Sequence, residues 1–213
     1  MKIGVLISGR GSNLQSLIDA AGQPGYPAQI ALVISNVPDV EGLRRAERAG
    51  IATRTVNHKS FASKADFEDA LHAELAAAGV ELVCLAGFMR LLTEGFTSRW
   101  HDKLINIHPS LLPAFKGLDT HQRALDAGVR FGGCTVHFVR PAMDDGPIIV
   151  QAAVPILAGD DERSLTQRVL AEEHRIYPLA VKLIAEGRAR VEGARVVIAD
   201  ATAPASAMIN PSG

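Results

Sequence analysis

Asn106 and His108 stand two residues apart in the run Leu104-Ile105-Asn106-Ile107-His108-Pro109-Ser110-Leu111-Leu112-Pro113, where an apolar strand passes into a loop stiffened by two prolines. Residues i and i+2 of a strand share a face, so the amide and the imidazole address the same space. An amide N–H can stabilise a developing oxyanion, and an imidazole titrates near neutrality, a combination suited to acyl-type transfer. Asp144 and Asp145, just before Gly146-Pro147, could supply a carboxylate that favours the imidazolium. Local spacing does not choose between them, and acidic residues in such loops are commonly solvated turn formers.

The turn Gly9-Arg10-Gly11-Ser12-Asn13 joins an apolar strand to a helix. Backbone N–H groups and the helix dipole favour an anion there. Leu14 replaces the third glycine of a dinucleotide fingerprint, the second strand ends in Ser35-Asn36 instead of a ribose-binding acid, and no Walker lysine follows. A single phosphate of a small nucleotide-like substrate fits this turn better than NAD or ATP. Glu173 falls inside an apolar helical stripe of Leu165, Val169, Ile176, Ala180 and Leu183, so it must face a partner or a polar cleft. Gly87-Phe88-Met89-Arg90-Leu91-Leu92 follows a strand at its carboxyl end, where open α/β sheets hold ligands, and could form an apolar wall for a flat ring. His137 shares a strand face with Thr135 and Val139 and reads as a structural histidine; the other histidines fall in expected helices and surface loops.

The elements that must position these groups follow from the pattern. Apolar runs at Lys2 to Ser8, Gln29 to Ser35, Ala52 to Val56, Leu82 to Ala86 and Leu104 to Ile107 predict strands. Helical patterns separate the first four: Leu14 to Ala21 with Asn13 as cap, a helix opened by Pro38-Asp39 and stopped at Gly50, and one from a Ser63/Asp66 capping box to Ala78. This order predicts an α/β fold, a Rossmann-like, mostly parallel twisted sheet with helices on both faces. After a helix near Thr120 to Ala127, strands Gly133 to Val139 and Ile148 to Val154 are joined by a connection too short for a crossover, so antiparallel pairing is expected in the C-terminal half. A long helix from Asp161 to Glu186, a small hairpin at Arg190 to Ile198 and a mobile tail over 199–213 complete one domain of residues 1–198.

Composition narrows the function further. A net charge of −1 over 213 residues leaves no broad basic surface for nucleic acid. No segment reaches the roughly 18 to 20 apolar residues that span a bilayer, and Ile3 to Ile7 is too short for a signal peptide, so no membrane association and a cytoplasmic location are expected. Cys84 and Cys134 sit in apolar runs as buried thiols, and no Cys/His spacing calls for a metal.

Four motifs, taken in order and at their separations, resemble the folate-dependent phosphoribosylglycinamide formyltransferase family from Met1 to about Arg190. They are Leu6 to Leu14, Leu85 to Arg90, Asn106 to Pro113 and Met143 to Pro147. The resemblance implies the formyltransferase fold. It also implies transfer of a formyl group from 10-formyltetrahydrofolate, as co-substrate and without a metal, to the amine of 5-phosphoribosylglycinamide in purine biosynthesis. It matches Asn106, His108 and Asp144 to a catalytic trio, choosing Asp144 over Asp145. Gly11, Ser12 and Asn13 match the substrate-phosphate turn, and Glu173 a residue holding the ribonucleotide. Met89, Arg90, Leu91 and Leu92, with Asn106 and the loop from Arg140 to Asp144, match the folate pocket, and Lys64 falls where a basic residue can meet the folate tail. Pro141, Asp145 and Asp119 depart from the pattern of many relatives. Two other formyl-folate enzymes compete: methionyl-tRNA formyltransferase, expected to carry a further C-terminal domain, and formyltetrahydrofolate hydrolase, which has no use for the phosphate turn. A non-catalytic folate- or nucleotide-binding protein would need no such trio.

Overall fold

The structure, a computed structural model, describes residues 1–211; residues 212 and 213, the last of the expected tail, lie outside the described residues. Seven strands form one sheet: β1 (Lys2–Ile7), β2 (Gln29–Ser35), β3 (Thr53–Thr55), β4 (Leu82–Leu85), β5 (Leu104–His108), β6 (Phe131–Phe138) and β7 (Ile148–Pro155). Their order is β3-β2-β1-β4-β5-β6-β7, parallel from β3 to β5 and antiparallel from β5 to β7. The expected change of character in the second half is therefore present. Strand order reverses between β1 and β4, which opens a crevice beyond their carboxyl ends.

Side-chain alternation divides the core. Ile3, Val5 and Ile7 of β1 pack with α1 (Ser12–Ala21), α2 (Glu41–Arg48), α5 (Thr120–Asp126) and α6 (Glu162–Ala185) on one face. Leu6 packs on the other face with Phe67, Leu71 and Leu75 of α3 (Lys64–Ala77) and Phe96 of α4 (Glu94–Arg99). In β5, Ile105 and Ile107 join the first cluster and Leu104 the second, so Asn106 and His108 fall on the Leu104 face. Cross-strand register pairs Asn106 with His137 and His108 with Thr135. Four polar side chains thus share one face of β5 and β6.

Two local expectations are corrected, and one helix had none. Asn13 does not cap α1. The cap position is Gly11, in the left-handed region, and Asn13 already lies within the helix. The second helix starts at Glu41, not at Pro38-Asp39, because Asp39 adopts a positive φ and Val40 becomes the cap. Helix α4 was not legible in the sequence: it has six residues, one of them Gly95, too few for a periodic signal. Ser63 does cap α3, its hydroxyl accepting the Asp66 N–H at 3.1 Å. A two-stranded hairpin, β8 (Ala189–Glu192) and β9 (Arg195–Ile198), follows α6 as expected. Beyond it Asn210 donates to the carbonyls of Arg130 and Ile156 at 2.6 and 2.9 Å. Among the described residues no helix is long and apolar enough to cross a membrane. Both cysteines are buried and unpaired, and burial pushes the Cys134 thiol up to about 12.

Candidate active site

A cleft of about 620 Å³ lies beyond the carboxyl ends of β1, β4 and β5. Its lining brings together residues far apart in sequence: Asn13, Met89 to Leu92, Asn106, His108, His137, Arg140 to Asp144, and Glu173. Gly11, Ser12 and Lys64 are not in this lining. Ser12 borders a smaller neighbouring cleft, and Lys64 is exposed at the start of α3.

His108 is almost fully buried. Its Nε2 lies 3.0 Å from the Phe115 carbonyl, which can only accept, so Nε2 carries a proton. Nδ1 faces Asp144 Oδ2 at 3.5 Å, longer than a normal hydrogen bond. The ring is therefore oriented by one carbonyl and confronted by one carboxylate. Asp144 has a left-handed backbone (φ 50°), and its Oδ2 accepts the Gly117 N–H at 2.9 Å. Asp145 turns away and pairs with Lys116. The ambiguity between the two aspartates is thus a matter of backbone direction, with only Asp144 aimed inward.

The loop after β5 is tied down from several sides. Thr135 Oγ1 donates to the Ser110 carbonyl at 2.7 Å and accepts from Leu112 N–H and Gln151 Nε2 at 3.1 and 3.0 Å. Arg123 of α5 donates to the Lys116 and Leu118 carbonyls and stacks over Phe115 at 5.7 Å. These contacts place the Phe115 carbonyl on His108, and none was legible in the sequence. Gly146 is equally constrained, since a Cβ there would stand 1.6 Å from the Phe138 carbonyl oxygen.

His137 is a residue that the sequence reading undervalued. It is buried in the cleft lining, with Nε2 3.4 Å from Asn106 Nδ2 and 3.8 Å from Asp144 Oδ1. Burial lowers its pKa, partly opposed by the Phe138 carbonyl and by Asp144. A neutral ring can accept from the Asn106 amide and so orient it. The available signal was its parity with Thr135 on a strand, but the pairing with Asn106 depends on sheet register.

The stripe-breaking Glu173 is buried, and Asn13 Nδ2 donates to its Oε2 at 2.6 Å. Burial raises its pKa, and the Asn13 bond lowers it in part. Gly11 enters α1 at φ 71°, and a Cβ there would meet Gly42 Cα at 2.7 Å. No side chain caps α1, which leaves its first N–H groups without a side-chain acceptor. Met89, Leu91, Leu118 and Met143 are exposed apolar residues around the cleft. Among the described residues no group of three or more His, Cys, Asp or Glu could hold a metal ion.

A sequence profile described as formyl transferase matches residues 1–181. The chain belongs to the formyl transferase family. It is 46% identical over 191 residues to phosphoribosylglycinamide formyltransferase of Escherichia coli strain K12, covering 90% of both chains. It is 51% identical to the trifunctional purine biosynthetic protein adenosine-3 of Gallus gallus over 90% of its own length, and it spans only 19% of that longer protein. The crystal structure of glycinamide ribonucleotide transformylase 1 from Symbiobacterium toebii superposes with a TM-score of 0.92 at 50% identity, covering 94% of each chain. The sheet with its antiparallel C-terminal strands is thus the fold of this formyl transferase family.

Proposed function

We propose that this chain transfers the formyl group of 10-formyltetrahydrofolate to the amine of 5-phosphoribosylglycinamide, giving the N-formyl ribonucleotide and tetrahydrofolate in cytoplasmic purine biosynthesis. The observation that carries the reading is one cleft holding both the Asn106, His108, Asp144 group and the Asn13–Glu173 pair. Membership of the formyl transferase family and similarity to named phosphoribosylglycinamide formyltransferases support the choice of reaction.

In this reading the ribonucleotide phosphate takes the free N–H groups of Gly11, Ser12 and Asn13 at the start of α1. Glu173, held by Asn13, takes the ribonucleotide beyond the phosphate. The folate ring lies against Met89, Arg90, Leu91 and Leu92 and against the loop from Arg140 to Asp144. Lys64, outside the cleft, is left to meet the acidic folate tail.

The neutral amine attacks the formyl carbon, forming the new C–N bond and an oxyanion. Asn106 Nδ2 donates to that oxygen, and the Nδ1 edge of protonated His108 supports it, since Nε2 is engaged by the Phe115 carbonyl. Asp144, 3.5 Å from the His108 ring, orders a water that passes the amine proton on. Collapse of the intermediate breaks the bond to the folate nitrogen, which leaves with a proton as tetrahydrofolate. No covalent bond to the protein is formed.

Steady-state deformylation of 10-formyltetrahydrofolate, followed with and without phosphoribosylglycinamide, tests the proposal. Ribonucleotide-dependent turnover is expected. Turnover without the acceptor would indicate a hydrolase, and none in either case would indicate a binding protein.

A further inference from the structure

Glu68 is a buried carboxylate outside the reacting groups. It lies on α3, 3% exposed, away from the cleft lining. Its Oε1 accepts the Thr93 N–H at 2.8 Å, and its Oε2 accepts the Thr93 hydroxyl. That hydroxyl in turn accepts the Phe96 N–H at 3.3 Å and caps α4. A carboxylate removed from water is costly unless hydrogen bonds satisfy it, and here both oxygens are spent on one residue.

Thr93 ends the segment 87–93, which has no helix or strand and supplies Phe88, Met89, Arg90, Leu91 and Leu92 to the cleft. The other end of that segment is held by Ser8. The Ser8 N–H donates to the Gly87 carbonyl at 3.2 Å, and Ser8 Oγ accepts the Met89 N–H at 2.8 Å. Ser8 Oγ also donates to Asn36 Oδ1 at 2.5 Å. Met89 and Leu91 are exposed, so apolar burial does not hold the middle of the segment. Its course depends on its two ends.

We infer that Glu68 is a positioning residue for the proposed folate pocket, holding the 89–92 wall in place through Thr93 while Ser8 holds the opposite end. The inference rests on the proposed function, because it assigns that wall to the folate. Glu68 touches neither substrate in this reading. Its removal leaves the Thr93 N–H and hydroxyl without their acceptor and frees the wall, while the Asn106, His108, Asp144 group and the Asn13–Glu173 pair are untouched.

The test is steady-state kinetics of the full chain with both substrates, together with fluorescence titration of 10-formyl-dideazafolate. Glu68→Ala should raise the folate KM and the analogue Kd about tenfold or more, with kcat and the ribonucleotide KM changed little. Glu68→Gln, which keeps an acceptor for the N–H, should restore most of the loss. Thr93→Val, which keeps the backbone bond and removes the hydroxyl, should give a smaller rise in the same parameter and serves if Glu68→Ala does not fold. An unchanged folate KM in Glu68→Ala, or in Thr93→Val if that is the variant that folds, would overturn the inference while leaving the function intact. So would a parallel rise in both KM values that glutamine does not relieve. Wild-type protein that neither turns over nor binds the folate analogue would overturn the function and this inference with it.

Discussion

The strand ends at the cleft serve it by different means: that of β1 delivers backbone, whereas those of β5 and β6 deliver side chains. After β1, Gly11 takes a left-handed turn against Gly42, and the first N–H groups of α1 are left open. After β5, the working atoms belong to Asn106 and His108, each oriented by another group: His137 for the amide, the Phe115 carbonyl and Asp144 for the ring. A site made of backbone is damaged by added atoms. One made of side chains is damaged by their removal or by loss of the neighbours that aim them.

The largest effect should come from the side-chain end. His108→Ala is expected to lower kcat by about two to four orders of magnitude, with the ribonucleotide KM nearly unchanged, in steady-state assays. Unchanged turnover would remove His108 from the mechanism and erase the contrast between the ends. Gly146→Ala should follow, because its Cβ cannot coexist with the Phe138 carbonyl at 1.6 Å. The Asp144 loop must move, and kcat should fall at least about tenfold while thermal denaturation shows a folded protein.

At the backbone end, Gly11→Ala should act on binding. The left-handed conformation costs an added side chain about 1–2 kcal/mol, and the contact with Gly42 adds to it. The expected result is a rise of about tenfold in the ribonucleotide KM with a smaller change in kcat; a pure kcat effect would contradict the assignment of this turn to binding.

Smaller again is the stability change from Glu173→Gln. Burial raises the Glu173 carboxyl pKa in the folded state, so ionisation opposes folding. That loss of stability is absent below the unfolded carboxyl range, about pH 4, and grows as pH rises through it. Glutamine cannot ionise and should give a higher Tm at pH 7, with the difference fading near pH 4, while ribonucleotide affinity falls. The least effect is expected from Lys116→Ala. Its partner Asp145 is exposed, so the loop should hold without the pair, and kcat should change less than about twofold in low or high salt.

Much of this molecule was legible because its signals are local. The strand runs, the expected antiparallel turn of the chain after β5 and the shared face of Asn106 and His108 follow from a two-residue period. Glu173 announced itself by interrupting an apolar helical stripe. Where local rules misled, a nearby constraint prevailed. Asn13 has the chemistry of a cap, but Gly11 sets the helix start two residues earlier and frees the Asn13 side chain for Glu173.

By itself the sequence determined the order of the sheet strands and of the longer helices, the burial of the two thiols, and the presence of an amide and an imidazole on one strand face. Periodicity and composition act within a few residues, and those features need nothing more. The resemblance had favoured Asp144 over Asp145, but only the tertiary structure decided how Asp144 faces His108 while Asp145 turns away, that His137 meets Asn106, that the Phe115 carbonyl orients the ring, and that Glu68 reaches Thr93. Each of these contacts depends on sheet register or on the course of a loop, and both are set by packing among segments that no local pattern relates.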